Sequence, residues 1–579
     1  MNTEKKLTGY PSIDKPWLKY YSEEAINAPL PECTIYDYMW NNNKDHPSNI
    51  ALNYFDRKIT YKELFDNIEK AAKAFTAMGV KCGDIVVTAT VTTPETVYIL
   101  YALNRIGAIP NMVDPRTGVE GIREYIREVN AEYVITLEVA YPKIAKAIEG
   151  TSVKKILVTS PADSLPAVKK FFYKMANRSE KLSDICVRWG DFIKNSKNSD
   201  VKYAPYKKDT CCVIVHTGGT TGSPKGVMLS NDNLNAMSLQ YSLLGIDYNR
   251  KQSFLNIMPP FIAYGIVLGI HMPLCLGLID VIIPQLNPDK FADLVSKYKP
   301  AHLAGVPTHY DKLRTNTKSK TLDLSFFEMT GCGGDAVTES FEKEINQFFK
   351  EHKCKYPITK GYGMTEISSA AITCKCNVNK LGSVGIPHLK TTVSIFKEGT
   401  DEELKTGEQG EICMTAPTVF VGYFNNQEET TKILLKHKDG KLWLHSGDIG
   451  YMDEDGFVYV NGRIKRIIIR YDGFKVFPTF IENVVLSHES VENCCAVGVT
   501  DKSHVQGKLP VVFVVCKESF KGKEDKIISE LKDMCKKELP EYSQPVDFRF
   551  CDSLPLTPIG KIDYRALEKM AEEMKGQRL

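Results

Sequence analysis

HTGGTTGSPKG (residues 216–226) follows the apolar, β-branched run CCVIV (211–215), so a buried strand feeds straight into a loop of Gly, Thr and Lys. Such a loop offers backbone N–H groups and hydroxyls at low steric cost, which is what gripping an anion requires. It is not the common P-loop, in which Gly-Lys-Ser/Thr opens a helix. Here Lys225 stands between Pro224 and Gly226, and Pro224 removes a donor, so the stretch stays a flap with a mobile positive charge at its end.

Upstream, the same strand texture recurs between helical segments. Thr60 to Glu63 reads as a capping box, with a helix running to about Met78 and a stop at Gly79. DIVVTATV (84–91) reads as a buried strand and PETVYILYALNRIG (94–107) as a helix with Pro in its first turn. EYVIT, KKILVTS and CCVIV repeat the short buried-strand signal. This alternation predicts a mostly parallel α/β sheet system. Residues 160–205 are polar and read as an irregular surface connection between two halves. After about residue 465 the texture changes. IKRIIIR precedes a helix from Pro478, strands near 493–499 and 509–516, a charged helix at about 523–538, a strand near 546–550 and a helix from Tyr564. That predicts a compact α+β domain, so the expected division is 1–464 and 465–579.

Bulk composition excludes several classes. The 579 residues exceed what one core organises. Charges nearly cancel, at 74 Lys+Arg against 71 Asp+Glu, and runs such as Lys536-Lys537 read as solvated helix faces, so nucleic acid is not an expected partner. No signal peptide opens the sequence, and sixteen Cys without a paired framework suit free thiols in a reducing cytoplasm. Ile257 to Ile279 is 23 residues without Asp, Glu, Lys or Arg, long enough to span a bilayer. Prolines 259, 260 and 273 break it, so the expectation is a buried segment of a globular core, with no transmembrane span.

The loop resembles the phosphate loop of the adenylate-forming (ANL) acyl-CoA synthetases, Thr-Ser-Gly-Thr-Thr-Gly-x-Pro-Lys-Gly; only Gly218, in place of Ser, departs from it. GYGMTE (361–366), TGEQGEI (406–412), GYFNNQEET (422–430), WLHSGDIGYMDEDGFVYVNGR (443–463), DGFKVFP (472–478) and PLTPIGKIDYRAL (555–567) are similar to that family in its order. The resemblance implies a large N-terminal domain of stacked α/β sheets with a β-rich subdomain, and a small mobile C-terminal domain. It implies two reactions. A carboxylate attacks the α-phosphate of Mg·ATP to give acyl-AMP and pyrophosphate, and a thiol then displaces AMP. The expected thiol is coenzyme A, with an acyl carrier protein as the alternative.

Residue by residue, the resemblance assigns Thr217, Gly218, Gly219, Thr220, Thr221, Gly222 and Lys225 to the β- and γ-phosphates. Glu366 and Thr217 are the expected Mg²⁺ ligands, hard oxygens suited to that ion. Tyr362 offers a face to adenine, Thr365 a hydroxyl to the α-phosphate, and Gly361 and Gly363 beside them are expected to bind ATP as well. Gly334 and Asp335 follow the adenine edge. Asp448, read as a strand-end residue, holds the ribose hydroxyls, and Arg463 ribose or phosphate oxygens. Lys561, on a tight turn, is the catalytic lysine that supplies positive charge where the five-coordinate phosphorus becomes more negative. Lys465 matches the hinge, and Gly473, Phe474 and Lys475 the thiol channel.

PPFIAYG (259–265) corresponds to a family segment that often carries His where this chain has Ile262. It has no Asp to hold a substrate ammonium, and an uncompensated ammonium in so apolar a place would be costly, which disfavours amino-acid activation. Phe261, Ile262, Tyr264 and Gly265, facing Gly305 and Thr308, are the expected acyl pocket. The expected acid is therefore hydrophobic, a fatty acid first, with an aromatic or other non-fatty acid as the alternative; a homodimer is left open.

Overall fold

A computed structural model describes residues 7–176, 181–198, 200–217, 224–556 and 562–573. Two large sheets organise the first part of the chain. One has eight strands, in the order Gly422–Tyr423, Gly226–Ser230, Cys211–His216, Ile109–Met112, Ile85–Ala89, Tyr133–Leu137, Lys155–Thr159 and Cys186–Arg188. The other has nine, and its centre runs parallel through Thr359–Tyr362, Met329–Cys332, His302–Gly305, Ser253–Asn256 and Ile279–Ile282.

Side chains on these strands alternate between two cores, as the period-2 geometry of a strand demands. Val86, Ile135 and Leu157 face a central core, while Val87, Val134, Ile156 and Val158 face an outer one. In the nine-stranded sheet Phe254 and Ile282 face the same central core, while Leu255, Val281 and Leu303 face a third. Both sheets therefore share one apolar layer between them. It is filled by the helices Ile35–Asn43, Tyr61–Met78, Pro94–Ile106 and Asn231–Ser242 and by the apolar segment after Ala263. A five-stranded antiparallel sheet (Thr392–Phe396, Gly410–Thr415, Leu434–Lys436, Leu442–Met452, Val458–Arg463) adds the β-rich part. The small C-terminal domain has its own three-stranded sheet, Val491–Thr500, Lys508–Cys516 and Asp547–Phe550. Two separate cores pack against its faces.

Local signals translate directly. The helix Tyr61–Met78 has both reciprocal hydrogen bonds of the Thr60/Glu63 capping box and ends at Gly79, whose φ of 104° suits glycine. The 257–279 segment is buried and broken. After the prolines comes a π-helix, Tyr264–His271, then a short α-helix, Met272–Cys275. Among the described residues no helix is long and apolar enough to cross a membrane. All sixteen cysteines are free thiols.

Residues 160–205 depart from the expectation of an irregular connection. They contain the helix Ala167–Ala176, the edge strand Cys186–Arg188 and the helix Trp189–Lys194, whose Trp189 and Phe192 are buried. Two aromatic anchors in a polar stretch suffice to hold it on the sheet edge. IKRIIIR also differs in part, since Ile464–Arg466 is a 3₁₀ turn and only Ile468–Ile469 pairs as a strand.

Candidate active site

The loop after Cys211–His216 returns as the antiparallel strand Gly226–Ser230, with His216 opposite Gly226. Its neck is closed by a reciprocal pair: Thr217 N–H donates to Lys225 O (3.1 Å) and Lys225 N–H donates to the Thr217 hydroxyl (3.2 Å). Gly218, Gly219, Thr220, Thr221 and Gly222 lie outside the described residues, as does Lys561. Lys225 Nζ pairs with Glu429 and sits 4.8 Å from the centre of the Tyr423 ring. Hydrogen bonds from Lys225 and then Lys432 hold the Glu429 carboxyl down at about 2. The lysine is therefore docked, not mobile.

Tyr423 links this neck to Glu366. Its strand, Gly422–Tyr423, pairs with Gly226–Ser230, and its hydroxyl donates to Glu366 Oε1 at 2.6 Å. Burial, followed by the adjacent Glu366 charge, pushes the Tyr423 phenol well up, so it stays a donor. Glu366 is buried, in the 3₁₀ turn Thr365–Ile367, and its carbonyl accepts from Phe420 N–H. Among the described residues no cation pairs with this carboxylate; a neutral hydroxyl holds it. A buried carboxylate held by a hydroxyl, beside a neck bearing the Thr217 hydroxyl, is a hard-oxygen donor set that fits a divalent ion such as Mg²⁺.

A second cluster gathers Tyr362, Asp448 and Arg463. Asp448 and Arg463 are cross-strand partners in the five-stranded sheet. Arg463 Nε lies 2.9 Å from Asp448 Oδ1, and the Tyr362 hydroxyl donates to Oδ2 at 2.7 Å. Asp448 is not at a strand end, as its neighbours in sequence suggested. It lies inside Leu442–Met452 beside a register irregularity at Ile449/Gly450, and such a bulge re-aims a side chain just as a strand end would. The Asp448 charge raises the guanidinium of Arg463, whose side chain stays half exposed.

Tyr362 closes the strand Thr359–Tyr362, which is anchored beneath the site by a buried ion pair, Lys360 Nζ to Glu342 Oε2 at 2.6 Å. Gly305, Cys332 and Tyr362 end three adjacent parallel strands, so Gly334, Asp335 and Gly361–Thr365 gather at one carboxyl edge, where α/β sheets bind ligands. Gly334 and Asp335 are exposed there. Gly363 has no room for a side chain, since a Cβ would lie 2.0 Å from Ser369 O.

The expected acyl pocket shares this edge. The Tyr264 hydroxyl donates to Gly305 O (3.1 Å), and a Cβ on Gly334 would lie 3.5 Å from Val306 and 3.9 Å from the Tyr264 ring. Phe261 is buried, with the Arg116 guanidinium 5.8 Å from its ring centre, and Ile262 is half-buried. Thr308 is exposed, on the first turn of the helix Pro307–Thr315.

Lys465 is exposed between two anchors: Arg463 on Asp448 to one side, and Arg466 on Glu482 and the Ala496 carbonyl to the other. Leu556 and Ile562, the described residues on either side of 557–561, pair with each other, and the Tyr564 ring lies 5.6 Å from the Arg466 guanidinium. The turn with Gly473 and Phe474 is exposed; Phe474 stacks on Tyr542, and Lys475 Nζ pairs with Glu398 Oε1 (2.6 Å). Sequence reasoning missed Tyr423 and Glu429 as site residues. Their signal lay in GYFNNQEET, to which no role had been attached.

Residues 39–424 match the AMP-binding enzyme family, and residues 481–561 match the AMP-binding enzyme C-terminal domain. The chain is similar to a long-chain-fatty-acid–CoA ligase of Bacillus subtilis (strain 168), 30% identical over 96% of this chain and 97% of the relative. It is also similar to the probable 4-coumarate–CoA ligase 1 of Dictyostelium discoideum, 29% identical over 94% and 96%. Its fold matches the structure of ATP-bound MatB from Rhodopseudomonas palustris, with a TM-score of 0.79 and 21% identity over 93% of this chain and 99% of that one. With one family match over residues 39–424 and another over 481–561 in the C-terminal domain, the chain belongs to the AMP-binding enzymes, as an adenylate-forming acyl-CoA synthetase.

Proposed function

We propose that the acid activated is a hydrophobic carboxylic acid, a fatty acid in first place, and that the residues gathered at the carboxyl edge carry both half-reactions. The observation that carries this is the unbroken contact from the loop neck through Tyr423 to buried Glu366, beside the Tyr362–Asp448–Arg463 cluster. Thr217, Lys225 and the loop between them would grip the β- and γ-phosphates as the leaving group, with Lys225 exchanging Glu429 for phosphate. Asp448, oriented by Tyr362 and Arg463, would accept from the ribose hydroxyls while the Tyr362 ring faces adenine. Glu366 and Thr217 would hold Mg²⁺, which when bound neutralises charge on the triphosphate.

Lys561 would then stabilise negative charge at the α-phosphorus as the carboxylate attacks. In the second step the C-terminal domain would turn at Lys465, exchanging Lys561 for the Gly473–Lys475 turn, so that coenzyme A can reach the acyl carbon. Lys475 would give up Glu398 in that turn.

The wall formed by Phe261, Ile262, Tyr264 and Val306 offers no anion to an ammonium and suits an alkyl chain. The Bacillus subtilis relative, a long-chain-fatty-acid–CoA ligase, favours the same class, whereas the Dictyostelium relatives favour an aromatic acid as the second reading. Pyrophosphate release with coenzyme A across saturated fatty acids and 4-coumarate decides between them. The fatty reading expects the highest kcat/KM on a saturated acid; a higher value on 4-coumarate would replace it with the aromatic one.

A further inference from the structure

Ser446, Gly447 and Asp448 stand out of line in their sheet. Cys413 pairs with His445 and Glu411 with Ile449, so the one residue between them on the first strand, Ile412, faces three on the second. Such an excess bends the strand, which is how a bulge re-aims a side chain. Gly447 takes up the bend with a φ of 70°, a value that suits glycine. In place of a regular ladder, side chains hold this backbone. Ser446 Oγ donates to Ile412 O (2.6 Å) and accepts from Asp448 N–H (3.0 Å). Glu411 Oε1 accepts from Gly447 N–H (3.0 Å).

Glu411 is itself held by His445, its diagonal neighbour across the two strands, whose Nδ1 donates to Oε2 at 2.8 Å. Burial pushes the Glu411 carboxyl up, but the hydrogen bonds from His445 and then Gly447 bring it below its ordinary value, so it accepts both as an anion. His437 Nε2 lies 2.8 Å from His445 Nε2 and fixes the imidazole from its other side. All of these side chains are buried. A chain of contacts therefore runs from His437 through His445 and Glu411 to Gly447, and ends one residue from Asp448. Tyr362 and Arg463 touch the Asp448 carboxylate itself, whereas Glu411 bonds to the backbone that carries it. We propose that Glu411 is a positioning residue for nucleotide recognition: by fixing the bulge, it sets where the Asp448 carboxylate meets the ribose hydroxyls. The proposal rests on the reading of Asp448 as the ribose acceptor, and it adds that selection of the sugar depends on a second carboxylate, on the neighbouring strand.

The test compares ATP with 2′,3′-dideoxy-ATP, which lacks both hydroxyls, in pyrophosphate release with a saturated fatty acid at fixed concentration. In Glu411→Gln the amide has one acceptor oxygen for two donors, Gly447 N–H and His445 Nδ1–H, at nearly the same size. Its kcat/KM for ATP should fall at least ~10-fold and that for dideoxy-ATP far less, so the preference for ATP shrinks. Ser446→Ala, which removes the other brace and leaves Glu411 in place, should shift the preference in the same direction. An equal loss with both nucleotides in both variants would overturn the proposal, since damage to the fold lowers both alike. Asp448→Ala separates the two levels. It should remove the preference, and adding Glu411→Gln to it should change the preference no further. An Asp448→Ala enzyme that prefers ATP as strongly as the wild type would mean that the ribose reading has failed, and the proposal with it. Loss of the preference in Asp448→Ala but not in Glu411→Gln would overturn the positioning role alone.

Discussion

A lone Glu in a loop is ordinarily a solvated charge, and only the surrounding GYGMT marks Glu366 as different; burial and the hydroxyl of Tyr423 explain how it is held. The donor lies 57 positions away, which no spacing rule links to GYGMTE, so the residue that orients the carboxylate was not legible although its motif was. Tyr423→Phe removes one hydrogen bond to a buried charge. Its pyrophosphate-release kcat should fall about 10- to 100-fold, with KM for ATP less affected. An unchanged kcat would mean that the hydroxyl does not orient Glu366. Away from the site, His388 is fully buried between Thr373 Oγ1 (2.7 Å) and Gln240 Oε1 (3.3 Å), and burial lowers it to about 3. The folded state keeps it neutral while the unfolded state protonates it below its ordinary value of 6.5, so its contribution is lost as pH falls from there towards 3. Relative to wild type, His388→Gln should flatten the decline of unfolding free energy across that window by up to about 1.4 kcal/mol per pH unit, read by denaturant titration at several pH values.

Elements whose signals are local were legible, and those held by remote contacts were not. The capping box at Thr60, the strands around 85–89 and 155–159 and every major element after Pro478 stand where sequence places them, because caps, period and β-branching act within a few residues. The exceptions depend on distant anchors. Residues 186–194 form a strand and a helix because Trp189 and Phe192 find a core, and the π-helix Tyr264–His271 follows from a close approach of backbones. A Cβ on Gly265 would lie 1.8 Å from the Pro259 carbonyl oxygen, a clash with main chain that only a shift of the 259–265 turn could relieve. Gly265→Ala should therefore displace Phe261 and Tyr264 and raise KM for the acid at least ~10-fold while changing KM for ATP much less, since overpacking costs about 1–3 kcal/mol. Steady-state kinetics varying each substrate in turn reads the difference, and equal effects on both would show that this turn does not line the acid's pocket.

Across the whole molecule, the ordered motifs made the family and its two-reaction logic legible. The sequence left open how the parts meet, because contacts such as Lys475 with Glu398 or Arg466 with Glu482 join segments with no shared pattern. The two arginine anchors leave Lys465 between them, and in the proposed second step a change of φ and ψ there would turn the C-terminal domain. Lys465→Pro restricts that backbone, so thioester formation from preformed acyl-AMP should fall at least ~10-fold while acyl-AMP formation is largely spared. Equal loss in both half-reactions would place the turning point elsewhere. The central claim is cleavage after the α-phosphate followed by acyl transfer. It is tested most directly by incubating the enzyme with α-labelled ATP, coenzyme A and a saturated fatty acid, and resolving the products. The account predicts AMP, pyrophosphate and acyl-CoA in equal amounts, with no AMP when the acid is omitted; ADP with orthophosphate, or AMP without any thioester, would contradict it.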